Sequence, residues 1–194
     1  MLYNIKSVGK LDNSTGRLRG NARLRPAVRR DMGAELITTY GIPLGLRPIE
    51  ADDRHRLAVA FARMSVRARH DRFLGPKPKL SAAELTHLTV LDHRMHEALA
   101  AVDPDDGSIV GVARYATEPG ATGVADVAFF VLDAWQRQGI ATLLGRSLVE
   151  RADANGVERL VASTFTGNRA ARTVLRRIGF RTVAFGDGVV ELAR

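Results

Sequence analysis

The chain has 194 residues, 45% of them apolar, which is enough for one well-buried domain and short for two. It contains no cysteine, so disulfides, thiolate-ligated zinc and a cysteine nucleophile are excluded. The net charge is +8, but residues 1–47 hold nine Lys or Arg against three Asp or Glu, so +6 belongs to that stretch and only +2 to the rest.

Residues 1–43 mix Gly, Arg, Asn, Ser and Thr without sustained periodicity and are expected to form a flexible basic arm, with a short helix over residues 28–40 as the folded alternative. The first residues carry two lysines with no apolar stretch behind them, unlike a signal peptide. Apolar runs elsewhere are broken by Arg or Asp within about ten residues, whereas a membrane span needs about 20. The chain therefore reads as soluble and free of membrane, and the missing cysteine fits a reducing cytoplasm. The stretch ARLRPAVRR has arginine forks for phosphates but little aromatic interleaving to stack bases, which argues against a nucleic-acid site.

A folded domain is expected over residues 44–194. LGLRPI reads as a first strand, and residues 51–64 place Leu57, Ala58, Phe61 and Ala62 at helical spacing. A second short helical stretch ends before Pro76 and Pro78, and Ser81 with Glu84 is a capping-box signature opening a third helix. HEALAAVD, SIVGVARYAT and VADVAFFVLD follow as strands separated by turn-rich PDDG and EPGATG, an antiparallel meander. A helix over residues 139–155, the strand ERLVASTF, a helix over residues 168–178 and a strand pair around GDG complete a mixed α/β domain.

The strand ADVAFFVLD feeds directly into a helix whose mouth is Gly139. A helix N-terminus has free N–H groups and a positive dipole end, and glycine lets an anion approach the backbone, so this junction suits a pyrophosphate without a metal. Gly139 alone would equally serve strand-to-helix packing. Farther on, Asn168 heads NRAARTVLRRIGF as an N-cap candidate, with Gly179 as the C-cap and Phe180 as a core residue.

Taken together, Gln136-x-x-Gly139-x-Ala141 after an apolar strand resembles the acyl-CoA pyrophosphate loop of the GNAT superfamily of N-acetyltransferases, and NRAARTVLRRIGF resembles its Asn-x-x-Ala helix. From about Arg47 onward the chain is also similar to the acetyltransferase domain of bacterial Pat-type protein lysine acetyltransferases. The resemblance implies a mostly antiparallel central sheet flanked by helices, acetyl-CoA as co-substrate, no metal, and a monomer or homodimer. It assigns Gln136, Arg137, Gln138, Gly139, Ile140 and Ala141 to the pyrophosphate and Asn168 to the pantetheine arm. Because the strand before the loop splays from its neighbour in that fold, it makes Phe130 and Val131 the candidate backbone donors to the thioester. Asp126 matches the strand carboxylate that serves as base, although a free Asp, with a pKa near 3.9, needs burial for that task. Glu118 is the second choice.

One departure stands out: where many of these enzymes place a tyrosine to protonate the departing thiolate, this chain has Leu175. Tyr115, one strand back, is a substitute candidate if it is not simply packed. His93 and His96 at i,i+3 lack a convincing third metal ligand, and His70 falls in the helical stretch expected to border the acceptor. The acceptor reads as a protein lysine or a small-molecule amine.

Overall fold

The computed structural model describes residues 34–117 and 123–194. The ARLRPAVRR stretch and Glu118 lie outside them. A hairpin of β1 (Ala34–Ile37) and β2 (Pro43–Pro48) comes first, followed by a 3-10 turn at Ala51–Asp53 and three helices, α1 (Arg54–Arg63), α2 (Val66–Phe73) and α3 (Ala82–Thr89). The meander β3 (His96–Val102), β4 (Ile109–Thr117) and β5 (Val124–Val131) leads into α4 (Ile140–Ala154), β6 (Arg159–Phe165), α5 (Arg169–Arg177) and the closing strands β7 (Arg181–Gly186) and β8 (Val189–Ala193).

Among the described residues these eight strands form one sheet, in the order β1-β2-β3-β4-β5-β6-β8-β7. Every neighbouring pair is antiparallel except β5 and β6. Alternation along the central strands divides the interior. On β3, Leu99 and Ala101 face the core under α4 and α5, while Ala98, Ala100 and Val102 face the core under α1 and α3. Both faces are covered, which is why β3 and β4 are buried along nearly their whole length.

Local chemistry sets the ends of these elements. Ser81 Oγ accepts from the Glu84 N–H at 3.2 Å while the Glu84 carboxylate accepts from the Ser81 N–H at 2.8 Å, closing the capping box. The β7–β8 turn uses Asp187 and Gly188, both with positive φ, as a two-residue hairpin turn requires. Over residues 34–43 the structure shows neither an arm nor a helix: Ala34–Ile37 is a strand, joined through the turn at 38–42 to β2, which begins at Pro43. Leu36 and Thr38 turn inward, 7% and 3% exposed, while Glu35 and Ile37 face out. An alternation this short lies below what a sequence pattern resolves. No helix among the described residues is long and apolar enough to cross a membrane.

Candidate active site

β5 pairs with β4 from Ala125 to Val131, but with β6 only from Val124 to Asp126. Beyond Asp126 the two parallel strands part, and a groove of about 1120 Å³ opens between Val127–Val131 on one side and Ala162–Thr164 on the other. The starts of α4 and α5 line it below the gap, and Arg67, Ala68 and Asp71 of α2 line it from the opposite sheet face. His70 of α2 stacks on Phe165 of β6, with ring centroids 5.0 Å apart, and so ties α2 to the far strand.

The direction of the β5 amides follows from the ladder. Leu132 N–H donates to Val110 O at 2.9 Å, and strand groups alternate sides, so Phe130 N–H points to β4 while those of Phe129 and Val131 point into the gap. Val131 C=O lies on the same side and accepts from Gln136 Nε2 at 3.2 Å. The donor pair named from the sequence is therefore corrected at one position: Phe129, not Phe130, shares the open edge with Val131. Phe130 keeps a place in the groove wall.

At the other end of the groove, Arg137 and Gly139 both have positive φ, 61° and 82°, which curls the loop so that its amides face inward. The N–H groups of Gln138, Gly139, Ile140 and Ala141 have no partner among the described residues; the helix bonds begin with Thr142 and Leu143, both donating to Gly139 O. Gly139 is required twice over. A side chain would be strained at that φ, and its Cβ would come within 3.0 Å of Thr39 Oγ1. Gln136, Arg137, Gly139, Ile140 and Ala141 line the groove. Gln138 turns away: its carbonyl accepts from the Thr39 N–H at 2.9 Å and its side-chain amide donates to Ala134 O. Asn168 caps α5, its Oδ1 accepting from the Ala171 N–H at 3.0 Å, and its residue lines the groove as well.

Asp126 is half-buried on the last paired rung of β5 and β6, where the gap begins. It shares a strand face with Ala128 and Phe130, the face that looks toward α1–α3. Leu175 is 1% exposed and packs in the α4–α5 core. Tyr115 does not take the place of the missing tyrosine. Its hydroxyl donates to Arg94 O at 2.9 Å and accepts from Asn155 Nδ2 at 2.7 Å, at the end of α4 remote from Gly139, and burial raises its pKa. His93 and His96 do not meet on a helix either. His93 bonds the fully buried Glu97 at 2.9 Å, which also holds Arg151, while His96 lies edge-on to His87.

Sequence reasoning missed two groups. Thr39 at the tip of the β1–β2 hairpin lies over the loop, a contact without a local signal. Asp133 accepts from both the N–H and the hydroxyl of Ser65, the cap of α2, at 3.0 and 3.1 Å, and so fixes α2 to the loop before α4.

Free amides along a parted strand, facing free amides at a helix start, form a cleft for an acyl group carried on a phosphate-bearing arm, the geometry of an acyltransferase. A profile described as "Acetyltransferase (GNAT) domain" matches residues 44–181. The chain is 32% identical over 137 residues to acetyltransferase PA5475 of Pseudomonas aeruginosa, covering 70% of this chain and 73% of that one. It is 30% identical over 145 residues to acetyltransferase Pat of Mycolicibacterium smegmatis, a match that spans 75% of this chain and 43% of the relative. The crystal structure of the GNAT domain of S. lividans PAT superposes with a TM-score of 0.78 at 29% identity, over 84% of this chain and 96% of that one. This chain belongs to the GNAT family of acetyl-CoA-dependent N-acetyltransferases.

Proposed function

We propose that the protein transfers acetyl from acetyl-CoA to a primary amine that enters from the α2 side of β5. The observation that carries this reading is the parting of β5 and β6 after Asp126, which leaves the Phe129 and Val131 amides on an open edge that leads to the amides at Gly139. In this reading the helix start and Arg137 hold the pyrophosphate, and Asn168 offers its side-chain amide to the pantetheine arm while its Oδ1 stays on the cap. The open-edge N–H groups take up charge as it develops on the thioester oxygen.

The amine nitrogen attacks the thioester carbon, its bond to carbon forms as carbon–sulfur breaks, and Asp126 accepts the amine proton directly or through water. With Leu175 at the tyrosine position, the thiolate leaves without a side-chain acid, as a thiol of low pKa is able to do. Resemblance to the Pat-type domain favours a protein lysine as acceptor over a free amine.

The test is release of CoA with a lysine-peptide library and an amine panel. Turnover with any of them supports the reading. Tight acetyl-CoA binding without release across both sets would instead make the chain a non-catalytic acyl-CoA module, the alternative that Leu175 favours.

A further inference from the structure

One side of α2 borders the groove: Arg67, Ala68, Asp71 and Arg72 line it, at the four-residue spacing of a single helix face. Among the described residues two carboxylates belong to the groove lining, Asp133 and Asp71. Asp133 is taken up by the N–H and hydroxyl of Ser65. Asp71 is held less firmly: its ion contacts are Arg67 Nε at 3.9 Å and His70 Nδ1 at 4.0 Å, both beyond hydrogen-bond distance. Arg67 is 85% exposed, and a pair so long and so wet is worth little, so a better-placed cation can displace it. The Asp71 side chain is 26% exposed, and its short stem keeps the carboxylate beside the helix face that carries it.

The other charged residues of the lining are arginines, Arg67 and Arg72 on α2 and Arg137, Arg169 and Arg177 on the side of α4 and α5. Such a lining favours the phosphates of CoA and opposes a cation. A primary alkylamine is a cation when it arrives at neutral pH, since its pKa is about 10.4 in lysine. An acceptor entering on the α2 side therefore needs an anion in the wall it passes, and Asp71 stands in that wall.

We propose that Asp71 receives the acceptor amine in its ammonium form, taking it in place of the loosely held Arg67, before the amine moves on to the thioester. The acceptor is then an alkylammonium, a class that includes the lysine side chain and excludes amines that are neutral at physiological pH, such as arylamines. The inference rests on the acetyl-transfer reading above and adds a binding step ahead of it, with no bond made or broken beyond those already described. A carboxylate that pairs with the ammonium also favours its proton, so Asp71 acts in capture and leaves deprotonation to Asp126 or water. Its loss should therefore raise the KM of the amine and spare kcat.

The experiment titrates the full chain, with and without CoA, with n-pentylamine and with its neutral counterpart 1-pentanol, following amide shifts by NMR. The ammonium should bind about 10- to 100-fold more tightly than the alcohol. In Asp71→Asn the two should bind alike, whereas Asp71→Glu, which restores the charge, should recover a preference for the ammonium. A kinetic arm measures CoA release with Nα-acetyl-lysine amide and lysine peptides: Asp71→Asn should raise the KM of the amine by about 10-fold or more and leave kcat and the KM of acetyl-CoA as they are. Equal binding of ammonium and alcohol to the parent, a preference that survives Asp71→Asn, or a fall in kcat with the amine KM unchanged would each overturn the proposal. Absence of turnover, with an ammonium preference that Asp71→Asn abolishes, would leave it standing and defeat only the catalytic reading.

Discussion

The two halves of the site are built on opposite principles. On the β5–α4–β6–α5 side, the wall is made of backbone: residues Gly139–Ala141 and the open edge of β5 line the groove because the chain turns through positive φ and because two strands part. On the α1–α3 side the wall is made of side chains: Arg67, Asp71 and Arg72 of α2 line the groove, and the buried Asp53 is gripped by Arg47. Backbone sites depend on local conformation and tolerate many side chains. Side-chain sites depend on which residues three separate helices bring to one strand face. Asp133, bonded to Ser65, is the joint between the halves.

The largest expected effect falls where the halves meet. Asp126→Asn keeps the shape of the strand and removes the base, so kcat should drop by about 10²- to 10⁴-fold with acetyl-CoA affinity unchanged in calorimetry. Full activity from pH 6 to 9 would pass the proton to water and detach Asp126 from both halves.

Next comes the side-chain half by itself. Asp53 is 1% exposed; burial favours its neutral form, but the two-pronged bond from Arg47 at 2.5 and 2.7 Å and the Glu50 N–H outweigh that and hold its pKa below the ordinary value. A carboxylate depressed in this way stabilises the fold above its unfolded pKa, near 4, and loses that contribution as pH falls through the folded value. Arg47→Met should cost about 3–5 kcal/mol in urea unfolding at pH 7, because it leaves a buried charge without its main partner. The deficit should narrow toward pH 4 as Asp53 protonates. A constant deficit across that range would mean that the pair contributes packing only.

The backbone half predicts a binding defect without a folding defect. Gly139→Val forces a branched side chain into φ 82° against Thr39, and should weaken acetyl-CoA binding by about 10-fold or more through displaced amides. Unchanged affinity with intact far-UV circular dichroism would remove the pyrophosphate from this loop.

The asymmetry also governs what the sequence conveyed. Gln136-x-x-Gly139-x-Ala141, the Asn168 cap and the Ser81–Glu84 box are contiguous signals, set by turn and capping chemistry within a few residues, and each lies in the structure where the pattern placed it. The meander was legible because period-2 runs are separated by turn residues. The Phe130 donor was wrong by one position, because the side an amide faces depends on pairing register with β4, which no single strand records. The Ser65–Asp133 bond, which spans 68 positions, had no local signature at all.

The start of the domain tests the same lesson. We propose that it begins at about residue 34, since β1 pairs with β2, Leu36 lies in the main core and Thr39 bonds the Gln138 carbonyl. A chain starting at Ala34 should match the full chain in stability and acetyl-CoA affinity. One starting at Leu44 should lose about 2–3 kcal/mol, the burial of Leu36 and its neighbours, and bind acetyl-CoA more weakly. Equal behaviour of the two would return residues 34–43 to the arm.

The smallest effect is expected at Tyr115, and it separates packing from chemistry. Its hydroxyl joins Arg94 O to Asn155 at the end of α4, and the 15 residues of that helix set it about 22 Å from the loop at Gly139. Removing the hydroxyl in Tyr115→Phe deprives one donor and one acceptor of a partner, at a cost of about 1 kcal/mol in stability. A group that distance from the thiolate cannot protonate it, so kcat and its pH profile should match the parent. A rate loss exceeding tenfold, with the alkaline limb of the profile displaced, would instead put the tyrosine in the proton path and require α4 to sit differently when acetyl-CoA is bound.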